Sequence, residues 1–179
     1  MSTSPPGRAV ALFQHGFGVE FMDFPRAVVI GADANVYRRM GAAEARGGPE
    51  TQGDPGPMLL SPDGTRVAVG SYDSSVPDLA LIDLHTGDVE LLPVSGGRSV
   101  IPLALSPDSN QVAYLSVADP VNPYSGTAIR GDIGMLELAT GRARLLPGDA
   151  DARAVAFSPD GKELAIHRIP PDDGSERSR

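Results

Sequence analysis

The sequence predicts an all-β fold built from repeated four-stranded antiparallel units. Three observations carry that expectation. A Ser-Pro-Asp string recurs three times between apolar runs, a second motif ending in Thr-Gly follows two of them in fixed order, and no window holds a helical period. Glycine and proline, 21 and 17 of 179 residues, supply the turn formers that many short strands need.

The first motif stands at Ser61-Pro62-Asp63-Gly64, Ser106-Pro107-Asp108-Ser109 and Ser158-Pro159-Asp160-Gly161, with starts 45 and 52 residues apart. Short apolar runs (MLL, LAL, VAF) precede the copies, and TRVAVG, NQVAYL and KELAIH follow them. The chemistry suits a type I turn: serine first, proline pre-setting φ, aspartate bonding nearby backbone, glycine fourth. Ser109 in place of glycine predicts that this fourth position tolerates a side chain.

The second motif is DLALIDLHTGDVELLP at 78–93 and DIGMLELATGRARLLP at 132–147. Gly87 and Gly141 fall between alternating runs, which reads as a hairpin loop with glycine in a left-handed conformation. From Ser61 to Gly87 is 26 residues and from Ser106 to Gly141 is 35, so the second unit carries a nine-residue insertion between its motifs. A fainter copy, VVIGADANVYRRM at 28–40, has Asn35 where Gly87 stands.

Each full unit therefore has four strands: one before Ser-Pro-Asp, one after it, one before Thr-Gly and one after that. The second strand of the middle unit is apolar on both faces (Val112, Ala113, Tyr114, Leu115), as in a strand sandwiched between sheets. The fourth alternates: Val89 and Leu91 oppose Asp88 and Glu90, and Ala143 and Leu145 oppose Arg142 and Arg144. That suits an outer edge strand. Residues 42–46 are too short for a helix of consequence.

This pattern resembles the TolB-like, WD40-like β-propeller repeat, clearly over 58–169 and weakly over 25–40. The resemblance implies a partial β-propeller of four-stranded antiparallel blades, an open arc and not a closed ring. The expected divisions are an N-terminal segment 1–24 with room for strands of a leading blade, a leading half-blade 25–42, a Gly/Pro-rich loop 43–57, a blade 58–93, a blade 103–148 with its insertion at 116–131, the first half of a further blade 153–169 and a disordered tail 170–179. Open arrays expose apolar end faces, which implies self-association through the blade ends. The family resemblance implies a platform for a protein or peptide partner. Its alternative is an accessory propeller domain of a serine peptidase or other hydrolase whose catalytic part is absent from this chain.

Composition narrows the function further. A formal charge of −8 argues against nucleic-acid binding. Absence of cysteine excludes thiol nucleophiles and cysteine-ligated metal sites. No apolar run is long enough for a membrane-spanning helix. The apolar run at 9–13 is too short for a secretory signal, so the cytoplasm is the default expectation.

In consecutive hairpins alternate loops lie on opposite edges. The Ser-Pro-Asp and Thr-Gly turns share one rim. The loops at 71–77, 93–102, 116–131 and 147–153 share the other, which is longer and more varied. That rim is the expected binding face, with Tyr72, Asp73, Arg98, Asn122, Tyr124, Arg130, Asp151 and Arg153 as candidates. The bland reading of the insertion is tolerated loop length.

No catalytic, cofactor or metal residue is predicted. Asp63, Asp108 and Asp160 lie in separate units and are better explained as turn formers. Asp149 and Asp151 fall short of the six or so oxygens calcium needs. His15, His85 and His167 stand in unrelated contexts, and neither HExxH nor GxSxG occurs.

Overall fold

The computed structural model describes residues 5–15, 26–33, 36–47, 54–73, 75–94, 99–117, 121–122, 129–146 and 152–168. They form four antiparallel sheets. The first contains β1 (Ala9–His15), β2 (Arg26–Gly31) and β3 (Tyr37–Arg39), followed by the single-turn helix α1 (Gly41–Glu44). The second contains β4 (Met58–Leu60), β5 (Arg66–Val69), β6 (Asp78–Asp83) and β7 (Val89–Pro93). The third contains β8 (Ser99–Leu105), β9 (Gln111–Val117), β10 (Asp132–Glu137) and β11 (Arg142–Leu145). The fourth contains β12 (Ala152–Phe157) and β13 (Leu164–Arg168). Each sheet runs in sequence order, each strand pairing with the next, and none of the sheets closes into a barrel.

The Ser-Pro-Asp turns are built alike. The Ser61 hydroxyl donates to Asp63 Oδ1 at 2.6 Å and accepts the Arg66 amide at 2.9 Å, while the Gly64 amide returns to the Ser61 carbonyl at 2.8 Å. Ser106 and Ser158 repeat the serine–aspartate bond, each at 2.6 Å. Proline and aspartate thus set the turn, and the serine side chain ties off the start of the next strand. Gly64, Gly161, Gly87 and Gly141 all adopt positive φ.

Ser109 does so as well, at φ 58°, so the position does not relax for serine. What differs is the space beside it. A β-carbon at Gly64 would collide with the Ala9 carbonyl oxygen of the first sheet, whereas one at Gly161 would meet Pro107 Cδ at an ordinary 3.5 Å. Glycine is compulsory only where a neighbouring backbone crosses the turn.

Sheets stack face to face, and alternation along each strand feeds two cores. From β5, Val67 and Val69 join a cluster with Ala27 and Val29 of the first sheet, while Ala68 joins the next cluster with Val112, Tyr114 and Leu136. From β9, Tyr114 faces back and Leu115 faces forward to Ile133 and Ala152. The middle strands are accordingly buried on both faces, each large apolar side chain contributing about 1.5–3 kcal/mol. β7 and β11 are edge strands, mostly exposed, because they lie beyond the reach of the adjoining sheets.

The leading unit has three strands, the first of them, β1, drawn from the N-terminal segment and paired with β2 over 9–15. Two details depart from the sequence reading. Residues 41–44 make a helical turn, which places Glu44 against Arg39 and Arg26. Strand pairing begins at Ser99, ahead of the 103 boundary and inside the expected 93–102 loop. A register shift between Pro102 and Ala104 accommodates the proline in β8, the end strand of its sheet. The tail 170–179 lies outside the described residues.

Candidate functional site

Strand order places the ends of β5, β7, β9 and β11 on one rim, opposite the Ser-Pro-Asp and Thr-Gly turns. Close approach of the second and third sheets shapes this rim. Ser71 and Val100 form an antiparallel bridge, with amide–carbonyl bonds of 2.8 and 3.0 Å. A β-carbon at Gly70 would strike the Val100 carbonyl, so glycine there permits the contact.

Three segments then meet at one atom. The Tyr72 carbonyl accepts the Ser99 hydroxyl at 2.6 Å and the Val121 amide at 3.0 Å. Ser99 opens β8, and Val121 belongs to the insertion after β9. The insertion is therefore anchored: Val121 and Ile129 pack in the core beside Ile101 and Leu115. Asn122, next along, is exposed.

Tyr72 is half-buried, and burial together with the nearby Asp54 carboxylate raises its phenol pKa. Burial likewise raises the Asp54 carboxyl, against the opposing effect of Gln14, which donates to Asp54 Oδ1 at 2.8 Å. Asp73 behaves oppositely. Its carboxylate accepts the Ser75 amide at 2.8 Å and is held below the usual range by that bond and by the Ser75 hydroxyl. Arg46 braces the same region, its guanidinium donating to the Gly70 carbonyl at 3.2 Å and to both the carbonyl and Oδ1 of Asp78 at 2.6 Å.

A second bridge, Gly131 to Ala152, carries Arg130 and Arg153 to adjoining positions where the third sheet meets the fourth. Arg130 is partly buried and Arg153 exposed. The structure thus gathers Tyr72, Asp73 and Asn122 around one junction and Arg130 and Arg153 around the next. Arg98, Tyr124 and Asp151 lie outside the described residues.

Asp54 and Gln14 were not singled out from sequence. A signal existed for Asp54: it stands seven residues ahead of Ser61, as Ser99 does of Ser106 and Asp151 of Ser158. Asp54 precedes β4 and Ser99 opens β8, so the shared offset leads into the first strand of the second and third sheets.

The Ser-Pro-Asp carboxylates are spent within their own turns. Among the described residues no group of three His, Asp or Glu side chains is placed to hold a metal ion, and no helix is long and apolar enough to cross a membrane. The rim presents an aromatic ring, carboxylates and guanidinium groups spread across two sheet junctions.

No family model matches the chain, and no curated protein matches it by sequence. Solved structures do resemble it. TolB from Acinetobacter baumannii superposes with a TM-score of 0.53 and 20% identity, covering 90% of this chain and 35% of that one. An oligogalacturonate lyase solved in complex with manganese gives a TM-score of 0.47 and 16% identity, covering 90% of this chain and 49% of that one. The chain spans about a third of the TolB structure and half of the lyase. Four-stranded antiparallel sheets in sequence order, stacked through alternating faces and superposing on TolB, identify the fold as a β-propeller arc.

Proposed function

We propose that this arc is a non-enzymatic binding module that holds an extended segment of a partner protein along the rim bearing Tyr72, Asn122, Arg130 and Arg153. One observation carries the reading: the β5–β6 loop, the start of β8 and the insertion after β9 all converge on the Tyr72 carbonyl. Loops fixed in this way by a rigid scaffold make a preorganised surface, which reduces the entropy lost on binding. The rim is also chemically mixed, with Asp54 and Asp73 near one junction and two arginines at the next, so it suits a peptide with charges of both signs.

The test is selection from a displayed peptide library, followed by Tyr72→Ala and by the Arg130→Glu, Arg153→Glu double variant. Selected peptides should lose about tenfold or more in affinity with either variant, consistent with aromatic and arginine anchors. Peptides that bind both variants as tightly as the parent would place recognition elsewhere and overturn the proposal.

A further inference from the structure

A second surface, independent of that rim, is made by the outer edges of the two four-stranded sheets. β7 and β11 are the fourth strands of those sheets, and each sheet has a neighbour packed on both faces. Among the described residues six large hydrophobic side chains are exposed, and three of them stand here: Val89, Leu91 and Leu145, at 44%, 57% and 42%. The main chain is open beside them. The Asp83 amide bonds the Asp88 carbonyl at 2.9 Å, and the Leu146 amide bonds the Ile133 carbonyl at 2.8 Å. Neither strand has a register shift, so its even-numbered residues bond inward. By alternation Val89, Leu91, Ala143 and Leu145 turn their amides and carbonyls outward.

The two edges carry opposite charge. Asp88 and Glu90 flank Val89 in the first, and Arg142 and Arg144 flank Ala143 in the second, at equivalent places after Gly87 and Gly141. All four are exposed, and none makes a salt bridge among the described residues. Glu137, across from Arg142, accepts the Thr140 hydroxyl at 2.8 Å instead. Charge on an edge strand ordinarily discourages pairing. Here it discourages only like pairs. β7 against a second β7 sets Asp88 on Glu90, and β11 against a second β11 sets Arg142 on Arg144. β7 against β11 is the combination that matches charge on charge.

We propose that β7 of one copy of this chain pairs antiparallel with β11 of another, joining two blades edge to edge. Val89 stands opposite Ala143 and exchanges both main-chain bonds with it. Asp88 then faces Arg144 and Glu90 faces Arg142, at the non-hydrogen-bonded positions where side chains come closest. Leu91 and Leu145 lie diagonally from Ala143 and Val89 on the other face of the joined sheet. Pro93, which has no amide, ends the free edge. Main-chain pairing supplies affinity, and the charges select the unlike edge. The contact is heterologous, since each copy offers one acidic and one basic edge. A single strand pair buries little surface, so the association is weak and grows with concentration.

Sedimentation of the full chain over a range of concentrations reads the association. The mean mass should rise above that of the monomer as concentration increases, and the rise should shrink as salt is added. Asp88→Arg with Glu90→Arg makes both edges basic, and Arg142→Glu with Arg144→Glu makes both acidic. Each double variant, checked for a cooperative melt, should self-associate about tenfold or more weakly than the parent. Mixing the two should restore association, because acidic and basic edges meet again, which damaged folds would not achieve. The milder Glu90→Gln should weaken self-association without abolishing it. A parent that stays monomeric at every concentration overturns the proposal. So does association that persists unchanged in the double variants, or a mixture no more associated than its parts.

Discussion

The Tyr114 ring occupies the space that a side chain at Gly134 would fill. The two residues are paired across β9 and β10, and a β-carbon at Gly134 would fall within the ring. Tyr114 is fully buried. In the preceding sheet the equivalent pair is Val69 and Ala80. Two volume-compensated solutions thus stand at one repeat position. Gly134→Ala should destabilise by about 1–3 kcal/mol through overpacking. Tyr114→Val should cost about 2–4 kcal/mol through the cavity it leaves. The double variant recreates the pair of the second sheet and should cost less than the two singles combined, by more than about 1 kcal/mol. Chemical denaturation of the four proteins measures that coupling.

Glycine and serine at the fourth turn position predict opposite outcomes at two equivalent sites. Ser109 has φ 58°, where a side chain is disfavoured, so Ser109→Gly should be neutral to stabilising, by up to about 1 kcal/mol. Gly64→Ser adds a β-carbon against the Ala9 carbonyl and should destabilise by about 2 kcal/mol or more. Thermal melts of the two variants settle the signs.

Acid should weaken the turns. Partial burial opposes ionisation of Asp63, but the Ser61 hydroxyl and the Thr65 amide and hydroxyl outweigh it and hold the carboxyl below its usual range. The Ser106 hydroxyl and Asn110 do the same for Asp108, and the Ser158 hydroxyl and Lys162 amide for Asp160. A depressed carboxyl stabilises the fold above its ordinary pKa of about 4, and that contribution is lost as pH falls through the folded value. Asp63→Asn should therefore lower the melting temperature at about pH 7. The gap to the parent should narrow as both turns become uncharged near pH 2. A gap independent of pH would mean that geometry, and not charge, carries the turn.

Legibility followed locality. Ser-Pro-Asp and Thr-Gly are short-range devices, each closed by bonds spanning five residues or fewer, so their spacing exposed the four-stranded units. The two-faced burial of 112–115 was legible for the same reason: alternation along one strand records both neighbours. Strand β1 was less legible, because its partner begins at Arg26 and no repeated motif marks the connection. The convergence on Tyr72 depends on a main-chain carbonyl, which carries no side-chain signature. Asp54 was hidden by the Gly/Pro-rich segment around it, and only its offset from Ser61 links it to Ser99.

Hydrogen exchange of the full chain, with and without a library-selected peptide, tests the central claim most directly. In the free chain, β5, β6, β9 and β10 should exchange slowest, since sheets cover both of their faces, while β7 and β11 should exchange fastest among the strands. Bound peptide should slow exchange at 71–73, 121–122 and 129–131, the segments gathered by the Tyr72 carbonyl and the Gly131–Ala152 bridge. Protection confined to the Ser-Pro-Asp and Thr-Gly turns, with no change at 71–73, would contradict the account.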